Sequence, residues 1–78
     1  MRILKEITLP SGLKASLFSW NGKYILKLEN GLLEQIYKVS ESDVSGLAEV
    51  ESLLQDIDFE QKVLAIFIQM EENLEKLW

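Results

Sequence analysis

The sequence predicts an α+β domain: a four-stranded antiparallel meander whose one face is covered by two C-terminal helices. Three observations carry this. Asn-Gly pairs at 21–22 and 30–31 each separate alternating apolar runs, the strongest short hairpin signal in a sequence. The apolar spacing changes from two to three-or-four after residue 40. Every strand precedes every helix, which favours segregated layers over alternating α/β units. The 78 residues form a single unit in this reading, with the meander over 1–39 and the helical half over 40–78.

Strands are expected near 3–9, 13–20, 23–29 and 32–39. Pro10-Ser11-Gly12 supplies the first turn: proline presets φ and glycine tolerates the left-handed region. Read as a three-residue loop, it sets Leu9 against Leu13 and Leu4 against Phe18. A two-residue turn at Asn21-Gly22 sets Trp20 against Lys23, Phe18 against Ile25 and Lys14 against Glu29. The same turn type at Asn30-Gly31 sets Glu29 against Leu32, Lys27 against Glu34 and Ile25 against Ile36.

Side-chain alternation then sorts the sheet. The expected core face carries Ile3, Ile7, Leu9, Leu13, Ala15, Leu17, Tyr24, Leu26, Leu28, Leu33, Tyr37 and Val39. Lys5 and Gln35 are its polar exceptions, expected on the two edge strands where water reaches them, with Lys5 as an edge guard. The opposite face carries charged pairs, and also an apolar row: Leu4, Phe18, Ile25 and Ile36, with Trp20 beside it.

In the helical half, Val44, Leu47, Val50, Leu54 and Ile57 form a first stripe, with Ser45 as the expected N-cap. Asp58 is the expected N-cap of a second helix, with Gln61 in capping-box position. Phe59, Val63, Ile66, Met70, Leu74 and Leu77 hold its stripe. The run Val63–Ile68 is apolar nearly all round, so this helix is expected to be buried on a second side. That side meets the shorter helix or the same helix of another subunit, which makes Leu64, Phe67 and Ile68 dimer candidates. A chain this short buries only about 60% of its unfolded surface, a second reason to expect a homodimer.

The composition excludes much chemistry. The chain has no Cys and no His, so it lacks a thiolate, the usual general base and the usual metal ligand. Ser11-Gly12-Leu13-Lys14 has Ser-x-x-Lys spacing, but falls in a hairpin turn rather than at a helix start. Asp56-Ile57-Asp58-Phe59-Glu60 opens like a calcium loop, then places Gln61 and Phe67 where Gly and Glu are required. Glu71, Glu72 and Glu75 read as a solvated helix face. No catalytic residue, metal ligand, cofactor or small-molecule substrate is expected, and no enzymatic activity. The longest apolar run is six residues, and residues 1–6 lack the apolar core of a signal peptide. No membrane association and a cytoplasmic location are the expectation.

The net charge of −5 divides unevenly: residues 1–39 hold six cations and three anions, residues 40–78 two cations and ten anions. The apolar row therefore lies among Lys14, Lys23, Lys27 and Lys38. Three occupants fit it: a folded-back Leu77-Trp78, a protein interface, or single-stranded nucleic acid stacking on the aromatics. A protein interface, foremost a symmetric homodimer, is the leading expectation.

Four antiparallel strands, a C-terminal helix and a basic, aromatic outer sheet resemble the small single-stranded-DNA-binding domains of the transcriptional coactivator PC4 type. The resemblance covers topology over most of the chain and no diagnostic motif. It implies a homodimer whose strand residues grip nucleic acid. By position, Lys14, Phe18, Trp20, Lys23, Ile25, Lys27 and Lys38 would serve that role.

Overall fold

A computed structural model describes residues 1–78. Strands β1 (Arg2–Thr8), β2 (Lys14–Trp20), β3 (Lys23–Asn30) and β4 (Leu33–Ser40) form one antiparallel sheet in the order β1-β2-β3-β4. After a 3-10 turn at Glu41–Asp43 come the short helix α1 (Leu47–Glu51), a 3-10 turn at Ser52–Gln55 and the long helix α2 (Ile57–Leu74). This is the expected α+β meander with helices on the sheet.

The first two turns behave as their residues dictate. Leu9 N–H donates to Leu13 C=O at 2.8 Å and closes the three-residue loop, with Gly12 at φ 92°. Asn21 and Gly22 both take positive φ, 53° and 75°, as a type I′ turn requires, and Trp20 opposes Lys23.

The third turn differs from the expected one. Asn30 opposes Leu33, so Gly31-Leu32 is the two-residue loop, and only Gly31 has positive φ, at 62°. A turn with glycine first needs just that one positive φ. The slide of two residues keeps every side chain on its expected face, so the hydrophobic pattern does not oppose it. It also ends β4 level with the β2–β3 turn, Lys23 opposing Ser40. Lys27 consequently faces Ile36, Ile25 faces Lys38, and Glu29 faces Glu34. Lys27 Nζ instead reaches Glu29 Oε1, at 3.5 Å on the same strand.

Strand β1 carries a second departure. Its register slips between Ile3 and Lys5, so Ile3 opposes Phe18 and Lys5 opposes Leu17. The bulge at Leu4 exchanges two side chains. Leu4 packs against the core, half-buried, and Ile3 moves to the outer face, 58% exposed. Lys5 stays on the helix side, with Nζ 3.6 Å from Glu51 Oε2 of α1.

The core lies between the inner sheet face and the helices. Leu9, Leu13, Ala15, Leu17, Leu26 and Leu28 from the sheet meet Val50, Leu54, Val63 and Phe67 from the helical half. Gln35, expected to be wet, is buried among them. Its Nε2 donates to Val63 C=O at 2.9 Å, and Tyr37 Oη donates to its Oε1 at 2.6 Å. Those two bonds satisfy the amide and fix the height at which α2 crosses β4; Tyr37 adds an edge-on contact to Phe59, ring centroids 5.8 Å apart. Gln35→Leu is therefore expected to destabilise the fold by about 1–3 kcal/mol, because the buried bond to Val63 C=O is lost and the half-buried Tyr37 hydroxyl loses its acceptor. A urea midpoint equal to wild type would show that the site is open to water.

Both helix starts are shifted from the expected positions. Gly46, not Ser45, is the N-cap of α1. Ser45 donates from its N–H and Oγ to Glu49 Oε2, both at 2.7 Å. Those bonds, the backbone one foremost, hold the Glu49 carboxyl below the usual glutamate range. Asp56, not Asp58, caps α2, accepting from the N–H groups of Asp58 and Phe59 at 2.9 and 3.2 Å. Asp58 then stands in the first turn, favoured by the helix dipole, 3.1 Å from Lys62 Nζ. Ile57, expected in the first stripe, is exposed.

The molecule is elongated, 43 × 25 × 20 Å, with a radius of gyration of 13.5 Å. A compact chain of this length would have about 11.5 Å. The excess fits the end of α2, where every residue from Glu71 onward is exposed. No helix is long and apolar enough to cross a membrane.

Candidate interaction surface

The outer sheet face is read rung by rung from the register. The first rung is Trp20–Lys23–Ser40, the second Ile3–Phe18–Ile25–Lys38, the third Glu6–Ser16–Lys27–Ile36 and the fourth Thr8–Lys14–Glu29–Glu34. The helices lie against the opposite face, where the core is.

Neighbours on an open sheet still bury one another. Ile25, central in its row, is only 6% exposed although it does not belong to the core cluster. Phe18, half-buried, has Lys27 Nζ 5.8 Å from its ring centre, so a cation already occupies one ring face. Trp20 and Ile36 stand out from the sheet, 51% and 53% exposed. Together with Ile3 they leave apolar surface around a shielded centre.

Charge is unevenly spread on this face. Lys23 and Lys38 lie in the two rungs nearest Trp20. Glu6, Glu29 and Glu34 lie in the two far rungs, with Lys14 and Lys27 among them. Glu29 directly opposes Glu34, a like-charge pair that Lys27 offsets through Glu29. Near the fourth rung a shallow depression of about 400 Å³ is bordered by Glu6, Thr8, Lys14, Ser16 and Glu29.

The structure thus brings Lys14, Phe18, Trp20, Lys23, Ile25, Lys27, Ile36 and Lys38 onto one face, as parity predicts. Leu4 leaves the row and Ile3 takes its place. A bulge without glycine or proline leaves no mark in the sequence, so Ile3 had no signal to find. The proposed helix surface does not assemble: Phe67 is 1% exposed inside the core, Leu64 is half-buried against it, and of the three only Ile68 stands free. The C-terminal cover is also excluded as drawn, since Leu77 and Trp78 are 74% and 84% exposed.

Fold and surface together define a small sheet-and-helix domain with one uncovered, mixed apolar and basic sheet face. Compared with protein-family models, curated proteins and solved structures, the chain matches none.

Proposed function

We propose that the chain is a non-enzymatic binding domain whose working surface is the outer sheet face, and whose partner there is another protein. The observation that carries this reading is the uncovered row itself. All four strands contribute apolar side chains to it, and Trp20, Ile36 and Ile3 are more than half exposed at its margins. A contiguous exposed apolar patch lying among charged side chains is the kind of surface that marks a protein interaction site.

Single-stranded nucleic acid is the second reading, and it is what the resemblance to the coactivator family implies. Trp20 opposite Lys23 supports it, because an exposed ring beside a cation is what a stacked nucleotide requires. Two features favour the protein reading. Lys27 covers Phe18, and Glu6, Glu29 and Glu34 share the face and repel phosphate.

The test is a fluorescence titration of Trp20 with oligo-dT at two ionic strengths, in a Trp78→Phe background so that one tryptophan reports. The protein reading expects no saturable change at either salt. Saturable quenching that weakens with a log–log salt slope of about −0.7 per phosphate would replace it with the nucleic-acid reading.

A further inference from the structure

We propose that the exposed edge of β4 pairs antiparallel with β4 of a second copy, about a two-fold axis at Ile36, joining two sheets into one of eight strands. This goes beyond the reading of the outer face and does not depend on what that face binds.

The two sheet edges are unlike. Strand β1 is bulged at Leu4, and Lys5 is turned inward to Glu51, the devices that close an edge to further pairing. Strand β4 has none of these. Its eight residues run in unbroken register against β3, with no proline and no bulge. Nothing lies on its far side in the sheet.

The backbone phase decides which groups that edge offers. Asn30 and Leu33 flank a two-residue turn, so Leu33, Gln35, Tyr37 and Val39 aim their N–H and C=O groups at β3. Glu41 N–H on Gly22 C=O, at 3.0 Å, continues the same phase. Glu34, Ile36 and Lys38 must then aim theirs outward. All three are exposed, and all three carry side chains on the outer face.

Self-pairing must bring these residues opposite one another, which leaves few registers. With the axis at Ile36, Ile36 meets Ile36 of the second copy, and Glu34 meets Lys38 of the second copy twice over. The three outward residues of each copy then exchange about six ladder hydrogen bonds. Sliding one copy by two residues sets Ile36 against a charge. Sliding it by four sets Glu34 against Glu34, or Lys38 against Lys38. Only the register centred on Ile36 combines opposite charges with an apolar contact, so the edge is complementary to itself. On the inner side the same register sets Leu33 against Val39 of the second copy. On the outer side it places the two Ile36 side chains together and makes the two outer faces continuous.

An edge this short makes a small interface, so association is expected to be concentration-dependent. Sedimentation equilibrium over a series reaching about 1 mM should show wild type moving from 9.0 kDa toward twice that mass. Glu34→Lys and Lys38→Glu should each weaken self-association at least about tenfold, since each sets two like-charge pairs face to face. An equimolar mixture of the two variants should recover wild-type association, because unlike copies again match at both pairs. Net-charge repulsion alone would move the two variants in opposite directions. Trp20→Ala, on β2, should leave the dimer unchanged, which separates this inference from the reading of the outer face. Circular dichroism checks that every variant is folded. The proposal is overturned if wild type stays at 9.0 kDa throughout, if either charge variant associates like wild type, or if the mixture associates no better than its components.

Discussion

Phe67→Ala is expected to remove about half of the stability of the isolated chain. Phe67 is the largest fully buried side chain, and it joins the inner sheet residues to α2. Truncating a buried phenylalanine costs about 3–5 kcal/mol, the lost transfer energy plus the cavity left behind. A domain of this length holds only about 4–12 kcal/mol in total. Val63 is the one other fully buried residue of α2, with Phe59, Leu64 and Met70 only partly buried against the core. Collapse into the cavity is resisted by Leu17, Leu26 and Leu28, which are themselves fully buried and supported by the sheet backbone. Urea unfolding should show a midpoint lowered by about half. Ile68→Ala, one residue along the same helix but 57% exposed, should shift it little. Equal losses from the two variants would mean that α2 is not seated on the sheet by this face.

The contrast between these neighbouring residues shows what a sequence makes legible. Parity on strands survives a turn shifted by two residues, so the core and outer faces were readable while the β3–β4 partners were not. Nothing in Asn30-Gly31-Leu32 distinguishes two positive φ values from one. At Asn21-Gly22 the same dipeptide does form the type I′ turn, both residues taking positive φ, and the register of Phe18 and Trp20 follows from it. The bulge at Leu4 reversed parity over the start of β1, and no local chemistry announced it. Gln35 looked like a polar interruption because its partners are a carbonyl on α2 and a hydroxyl two residues away. The first of those partners exists only after the helix has docked. In Val63–Ile68, an apolar run reads as all-round burial, but docking buries only Val63 and Phe67 and leaves Ile66 and Ile68 exposed. The outer row was therefore readable from strand alternation, and the helical surface was not.

Trp20→Ala is expected to do the opposite of Phe67→Ala, leaving the fold and weakening the binding proposed for the outer face. Trp20 closes β2 just before the Asn21-Gly22 turn, with half of its surface in solvent and Lys23 opposite it. The turn itself is set by Asn21 and Gly22, so the strand register does not depend on the indole. The core cluster does not include Trp20 either. Loss of its contacts along the strand should cost about 1 kcal/mol or less, against the 3–5 typical of a core tryptophan. At an interface the same indole is the side chain best suited to act as an anchor: it is large, rigid and half apolar, and stands at the margin of a shielded row. Its truncation should weaken the outer-face partner by about 2 kcal/mol or more, roughly thirtyfold in Kd. The comparison needs two measurements on one variant: a urea midpoint, and the affinity for the outer-face ligand per folded molecule. A midpoint lowered as far as in Phe67→Ala, with affinity unchanged, would place Trp20 in the core and the binding surface elsewhere. A midpoint near wild type with affinity lost makes the indole the anchor of the outer face, whichever class of ligand that face takes.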